Sequence, residues 1–498
     1  MIINKSKYCG FCQCPKSVWL KKNKSEEFVA DQSAMDRMSG SNEICALECK
    51  IFGDYVDVPA SMTGKADLAK LVAKTAELIA DNVSILTKAS FMYDEAYCMV
   101  DILKKEAEGY SIYATKSSTS PNHHNYIVDI AYQKYILEHC GVNVVSTNVI
   151  NVNTSYKFDG KLDIHKLFKI SNVDELVDVE LPNVEGNIAQ LKEILNMEEE
   201  PSTGLNVSCH NPYPCGFWKY CSKHLPKNSV FDLYATSIQK KLEYYNKGIV
   251  TFEDLKNSDI SIGKIQNMQI NHNLKSRPTY VNKKAVKEFL STISYPLYFL
   301  DFETVQLGIP KYKNSRPYQP MPFQYSLHYI KKEGGEVKHK EFISSPTKDP
   351  RKQIARRLYK DIPQNACILA YNKFFERERL KDLAKLFPRM GKKLNVLAQN
   401  VIDLAVPFVE GAVYNKRMSN SISIKSVLPA LYPKDSSLNY ESLDGVNNGN
   451  DAMVVFTKMK NMTRKEQKQI KQELLDYCKL DTYAMVKIYE YLVKSVSE

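Results

Sequence analysis

The sequence predicts an α/β protein of two lobes joined by a helical connector. Three observations carry that expectation. The chain has 498 residues, more than one ordinary hydrophobic core accommodates. Cysteine clusters open and close residues 1–225, as if the two ends of one domain met. From residue 295 onward, short apolar runs alternate with amphipathic helical patterns, the signature of strands covered by helices.

The first lobe, residues 1–225, holds helical and strand-like stretches without a long low-complexity segment. Residues 226–290 are polar and mostly helical. Within them Leu242, Gly248, Ile249, Thr251 and Leu255 resemble the helix-Gly-Ile-helix turn of a helix-hairpin-helix, or a plain helical linker with a glycine cap. The second lobe, residues 291–498, opens on Tyr295-Pro-Leu-Tyr-Phe-Leu300, a buried strand ending at Asp301. Phe323–Ile330 and Val337–Ile343 flank Gly334-Gly335, which supplies positive φ for a hairpin turn. A helix from Arg351 leads to the strand Cys367-Ile-Leu-Ala-Tyr371, and residues 463–496 form a long helix. Strand, hairpin, helix, strand, helix is the order of a ribonuclease-H-like mixed sheet.

Composition narrows the class. With 44% hydrophobic and 25% charged residues the chain is not a disordered polypeptide. Lys+Arg 68 against Asp+Glu 57 gives a net charge of +11, compatible with a polyanionic partner and equally with solubility alone. The opening residues lack the apolar run of a signal peptide, and no stretch of about 18 apolar residues offers a membrane span, so the expectation is a cytoplasmic protein with no membrane partner. In a reducing compartment the 12 cysteines read first as metal or cluster ligands.

Four acids in the second lobe have convergent placement. Asp301 and Glu303 are two apart at a strand end, so both side chains leave one face. Asn372 and Glu376 follow the later strand in Tyr371-Asn-Lys-Phe-Phe-Glu376, and Tyr477 and Asp481 are four apart on a helix. Clustered carboxylates require cations to neutralise them, and paired divalent ions are a common means of cutting phosphodiesters. Asp301-Phe-Glu-Thr304, Asn372–Glu376 and Tyr477-Cys-Lys-Leu-Asp481 resemble the three motifs of the DEDD superfamily of 3′-5′ exonucleases, the last one similar to the DEDDy branch. The resemblance implies two Mg²⁺ or Mn²⁺ ions on Asp301, Glu303, Glu376 and Asp481, with Tyr477 orienting the attacking water. Glu376 departs from it, because that motif usually carries Asp. The first motif, together with Pro317–Tyr325, Val401–Ala405 and Ser421–Pro429, also resembles a bacterial family catalogued as a domain of unknown function, over most of residues 290–490. Asn372, Gln319, Gln324 and Lys425 are candidate substrate contacts.

In the first lobe Cys209, Cys215 and Cys221 are evenly spaced, and Cys14 stands nearly two hundred residues earlier. One ligand at the start and three at the end resemble the iron-sulfur RecB-like nucleases, which implies a [4Fe-4S] cluster closing the domain. Cys9 and Cys12 form an alternative pair, so zinc or another first ligand stays open. A PD-(D/E)xK core of that family would be supplied by Asp101, Lys116 and Gln133, but Ala114 stands where the second acid belongs. Losing that carboxylate predicts a degenerate site. The expectation is a metal-dependent 3′-5′ exonuclease on DNA or RNA ends with an iron-sulfur accessory domain. The alternative is a catalytically silent nucleic-acid scaffold made of two degenerate nuclease folds.

Overall fold

The computed structural model describes residues 2–30, 41–62, 67–211, 213–275, 279–419, 421–440, 443 and 445–497, without side-chain detail for 41 and 42. Contacts divide it into two compact units: residues 1–224 with 308–318, and residues 225–307 with 319–498. Both are mixed α/β, and among the described residues no helix is long and apolar enough to cross a membrane.

Among the described residues, unit 1 is built on seven strands: β1 (Ile3–Asn4), β2 (Val56–Asp57), β3 (Ile85–Tyr93), β4 (Ala96–Lys105), β5 (Tyr110–Lys116), β6 (Val144–Val152) and β7 (Phe168–Asn172). Their order is β2-β3-β4-β5-β6-β7, with β1 added parallel to β4. β3 to β5 form an antiparallel meander, and β5 pairs in parallel with β6. That parallel step needs a crossover, provided by the helix His124–His139. The helix buries Ile127, Val128, Ile130, Ala131, Ile136 and Leu137 in the core on one face of the sheet. A second cluster, with Ile102, Tyr113, Ile150, Tyr156 and Phe168, includes Ile309 and Tyr318 from the inserted segment 308–318.

Unit 2 holds β8 (Thr279–Val281), β9 (Leu297–Val305), β10 (Met321–Ile330), β11 (Lys338–Ile343), β12 (Cys367–Ala370), β13 (Val401–Asp403) and β14 (Val413–Asn415). β8 pairs with β14, and the other five form a mixed sheet in the order β11-β10-β9-β12-β13. β9, β10 and β11 run antiparallel in sequence, while β12 joins β9 in parallel and β13 joins β12. β9 runs past Leu300 to Val305 because Asp301–Val305 keep pairing with β10.

Side chains of β9 alternate between two helical layers, as the period of two requires. Tyr298, Leu300 and Phe302 pack with Ile354, Leu380, Leu383 and Leu394 of the helices Arg351–Asp361, Lys373–Leu386 and Pro388–Gln399. Phe299 and Asp301 turn instead to the 34-residue helix Arg464–Ser497, meeting Tyr489 and Cys478. This helix buries Leu474, Tyr477, Cys478, Leu480, Asp481, Thr482, Ala484, Met485, Val486, Ile488 and Leu492, so its middle turns are covered on more than one side. Asp481 on this helix and the acids at the end of β9 line one cleft.

Candidate active site

A cleft of about 730 Å³ in unit 2 is lined by Asp301, Glu303, Asn372, Glu376, Asp403, Lys425, Tyr477 and Asp481, among others. The first two come from β9, Glu376 from the first turn of the helix Lys373–Leu386, and Tyr477 and Asp481 from the C-terminal helix. The chain reaches that first turn through Asn372 at φ +74°, a left-handed conformation that Asn tolerates better than most residues. The backbone N–H groups of Asn372 and Lys373 donate to the Asp403 carboxylate at 3.1 and 3.2 Å, which fixes where the helix starts and where Glu376 points.

Glu303, Glu376 and Asp481 are buried and Asp301 half-buried. Carboxylate oxygens of Asp301 and Glu303 and the Cys478 Sγ all lie within 4.8 Å of one another. Two ionised carboxylates at that separation repel by about 3–4 kcal/mol at an effective dielectric near 20. Burial, reinforced by neighbouring acids, holds Asp301, Glu303 and Glu376 well above the usual carboxylate range. Asp481 is pushed up to about 6 by burial, opposed by a hydrogen bond from Tyr440 and by the Lys425 charge. The Glu376 Oε2 atom is buried without a hydrogen-bond partner. Such a set is unstable as anions and complete as ligands: oxygen donors on three elements around one cleft fit hard divalent cations such as Mg²⁺ or Mn²⁺.

Three residues here escaped the sequence reading. The Tyr440 hydroxyl donates to Asp481 Oδ1 at 2.7 Å, and both groups are buried. Tyr440 sits in an irregular stretch whose only sequence signal is an aromatic residue. Cys478 is the spacer after Tyr477, and Asp403 lay inside a quoted segment without an assigned role. Lys425 spans the far side, its ammonium 5.0 Å from the ring centres of both Tyr440 and Tyr477 and donating to the Asn447 carbonyl. Gln324 is fully buried on β10, and its amide donates to the Leu474 carbonyl at 2.6 Å, tying strand to helix. Neither Gln324 nor Gln319, which precedes β10, is among the cleft-lining residues.

In unit 1 the four expected thiols converge. Cys14, Cys209, Cys215 and Cys221 line one small cavity with Leu20, Phe217 and Trp218. Burial raises Cys14 and Cys215, and Cys221 is pushed up to about 11 by burial, with the neighbouring thiols adding to it. Thiols gathered in one cavity, three of them held protonated chiefly by burial, are a set a metal centre would deprotonate. Cys9 and Cys12 pack instead against the main core from the helix Lys5–Gln13.

Asp101, Lys116 and Gln133 also come together. Asp101 accepts from the Thr115 N–H at 2.9 Å. Lys116 is paired with Asp129 at 3.1 Å, and Gln133 donates to Asp129 at 2.7 Å. Ala114 is buried on β5. A further acid stands here that the sequence reading missed. Glu48 ends the helix Ser41–Glu48, is fully buried, and has neither carboxylate oxygen hydrogen-bonded. Burial, then Asp101, pushes it up to about 8.

Part of the chain matches a family model. Residues 298–423 match a family described as "Domain of unknown function (DUF2779)". The matched stretch contains Asp301, Glu303, Asn372, Glu376 and Asp403, and ends before Lys425, Tyr477 and Asp481. It is narrower than the expected 290–490. "Uncharacterized protein MG366" of Mycoplasma genitalium is 27% identical over 211 residues, covering 39% of this chain and 31% of the relative. The chain thus matches less than a third of that relative's length. No solved structure matches.

Proposed function

We propose that unit 2 is a metal-dependent phosphodiesterase acting as a 3′-5′ exonuclease on DNA or RNA ends. The observation that carries this reading is the single cleft in which Asp301, Glu303, Glu376 and Asp481 meet from three elements, with a Glu376 oxygen buried and unpartnered. The β11-β10-β9-β12-β13 order, with the acids at the end of β9, agrees with a ribonuclease-H-like fold.

Mg²⁺ or Mn²⁺ held by the four carboxylates would sharpen a water nucleophile and neutralise charge building on the phosphate. The chain's own residues supply the rest. Tyr477, four residues before Asp481, presents its hydroxyl beside that carboxylate, where it can orient a water. Tyr440 fixes the Asp481 rotamer through its 2.7 Å hydrogen bond. Lys425 offers a cation to a substrate phosphate at the cleft wall. Glu376 reaches from a helix N-terminus, where partial positive charge favours its anionic form once cations are present.

For unit 1 the proposal is a RecB-like fold stapled by a [4Fe-4S] cluster on Cys14, Cys209, Cys215 and Cys221, serving as a nucleic-acid-binding accessory. Lys116, neutralised by Asp129 instead of lying free, favours a silent site there, whereas Glu48, buried beside Asp101 with neither oxygen partnered, is the same sign of a cation site that Glu376 gives in unit 2.

The deciding experiment incubates the full chain and its Asp301→Ala variant with end-labelled single-stranded and duplex DNA and RNA in Mn²⁺. Mononucleotide release by the wild type alone supports the exonuclease. No release from any substrate, with retained binding, supports the scaffold reading.

A further inference from the structure

Among the described residues, Asp301, Glu303 and Cys478 form a group of three metal-type donors whose ligand atoms lie within 4.8 Å of one another. The sulfur belongs to a different element from the two carboxylates and is fully buried between the helix and β9. Its Sγ lies 3.4 Å from Asp301 Oδ2. An oxygen at about 2.0 Å and a sulfur at about 2.3 Å from one tetrahedral ion are roughly 3.5 Å apart. The contact is an S–H···O hydrogen bond from Cys478 to Asp301, and its length is also that between two ligands of a single ion. Asp301 and Glu303 line the cleft, with Cys478 behind them in the wall, and that cleft also holds the buried, unpartnered Glu376 Oε2, a second sign of a cation site.

The plain role of a buried cysteine is a small apolar filler. Cys98 has that role: it is buried in the core of unit 1 among Phe91, Ala96 and Val100. Cys478 differs because its sulfur is aimed at a carboxylate oxygen.

We propose that Cys478 is a metal ligand at this site, so that the position shared with Asp301 and Glu303 takes a thiophilic divalent ion of the Zn²⁺ or Cd²⁺ class as well as Mn²⁺. This rests on the reading of the acid cleft as a metal site and adds the class of ion it selects. Hard Mg²⁺ is served by the oxygens and leaves the thiol protonated. A softer ion gains a sulfur bond that oxygen-only sites do not offer. On its entry the S–H bond breaks, a metal–sulfur bond forms, and the proton passes to solvent, with no change in oxidation state. Asp301, Glu303 and Cys478 then hold the ion on three protein ligands, leaving a fourth position for water, the open arrangement of catalytic zinc sites.

The test uses the full chain, in wild-type form and as Cys478→Ser, Cys478→Ala and Asp301→Asn. Co²⁺ is titrated while near-ultraviolet absorption is followed, and Zn²⁺ and Mn²⁺ affinities are measured by calorimetry. The other thiols contribute equally to all four proteins, so the wild-type minus Cys478→Ser difference isolates this site. The expected result is a sulfur-to-cobalt charge-transfer band in that difference, absent also from Asp301→Asn. Zn²⁺ affinity should fall by more than roughly tenfold on losing Cys478, with Mn²⁺ affinity nearly unchanged. Retained Mn²⁺ binding by both Cys478 variants also establishes that they fold. Mn²⁺ binding that depends on Asp301, without a Cys478-dependent band, overturns this inference alone. Mn²⁺ binding indifferent to Asp301 overturns the acid site and the inference with it.

Discussion

At the scale of single residues, the proposed metal site implies that the acid cleft trades stability for ligand capacity. Glu303 is buried beside Asp301 and Asp481, and each adds to its reluctance to ionise. Replacing it by Gln removes a buried like charge while keeping shape. In chelator at pH 8, Glu303→Gln is expected to melt about 2–4 °C above the wild type, the shift that roughly 1 kcal/mol gives a domain of this size. The order should reverse in Mn²⁺, because only the wild type gains binding energy from the ion. A variant that melts lower in chelator would mean that Glu303 is a structural acid. Tyr440 makes a narrower case. Its hydroxyl positions Asp481, so Tyr440→Phe should weaken Mn²⁺ binding by roughly 10- to 100-fold, readable by calorimetry, with folding intact. The four acids and Tyr477 were legible because motif spacing marks them two, four and five residues from a partner or strand end. Tyr440, Cys478 and Glu48 were not. Each acts through a neighbour brought close only by tertiary structure, and an isolated Tyr in a loop or a Glu on a helix carries no periodic signal.

At the scale of elements, the sheet and the C-terminal helix are joined by a polar seam as well as an apolar one. His328 on β10 and His339 on β11 lie with ring centres 4.4 Å apart and ring planes tilted by 33°. The His328 ring contacts the Thr482 hydroxyl at 2.8 Å, and the His339 ring contacts the Ser326 hydroxyl at 2.9 Å. Facing them are Lys479, which opposes protonation of both rings, the Tyr483 ring, and Glu341, 3.9 Å from His339. Burial, then the neighbouring positive charges, lowers His328 to about 3 and His339 to about 4. Both rings therefore stay neutral in the fold at a pH where the unfolded chain protonates them, below about 6.5. The unfolded state binds the extra protons, so stability is fully present above about pH 6.5 and is lost progressively as pH falls below it, the loss becoming complete at about 4 for His339 and about 3 for His328. Denaturant melts at pH 7.5 and 5 should show this loss in the wild type and a shallower one in His328→Asn/His339→Asn. An equal slope in both would remove the pair from this role. The sequence revealed the hairpin through Gly334-Gly335 and the long helix through its periodicity. It did not reveal that Gln324, Ser326 and His328 face that helix, because their period-two alternation with Phe323, Tyr325 and Leu327 reads as a polar solvent face, whereas all of Met321–His328 is buried. Period-two patterning marks the two faces of a strand and is silent on whether the polar one is covered.

At the scale of the whole chain, the informative departure is the segment 308–318, which lies in sequence between β9 and β10 of unit 2 yet packs with unit 1. Residues next to a strand end are expected to stay with that strand, so nothing in the sequence signalled the exchange. Its attachment is specific. The Phe158 N–H donates to the Ser315 carbonyl at 3.0 Å, and the Asn314 N–H donates to the Phe158 carbonyl at 2.7 Å. The Tyr318 hydroxyl donates to the Ser117 carbonyl, just past Lys116. Ser315 is fully buried, and Ile309 and Tyr318 complete the cluster of Ile102, Tyr113 and Ile150. A fragment of residues 1–225 alone would expose that cluster and leave the Phe158 backbone groups without these partners, so it tests unit 1 unfairly. Replacing residues 308–318 by a Gly/Ser stretch of equal length isolates the effect. Losing the two large side chains and the backbone pairing should cost unit 1 about 3–5 kcal/mol, seen as a lower first transition in a thermal melt. Mn²⁺ binding by unit 2 should change little, since the acid cleft draws no residue from 308–318. A replacement that lowers Mn²⁺ affinity while leaving the first transition in place would show that the segment serves unit 2 instead.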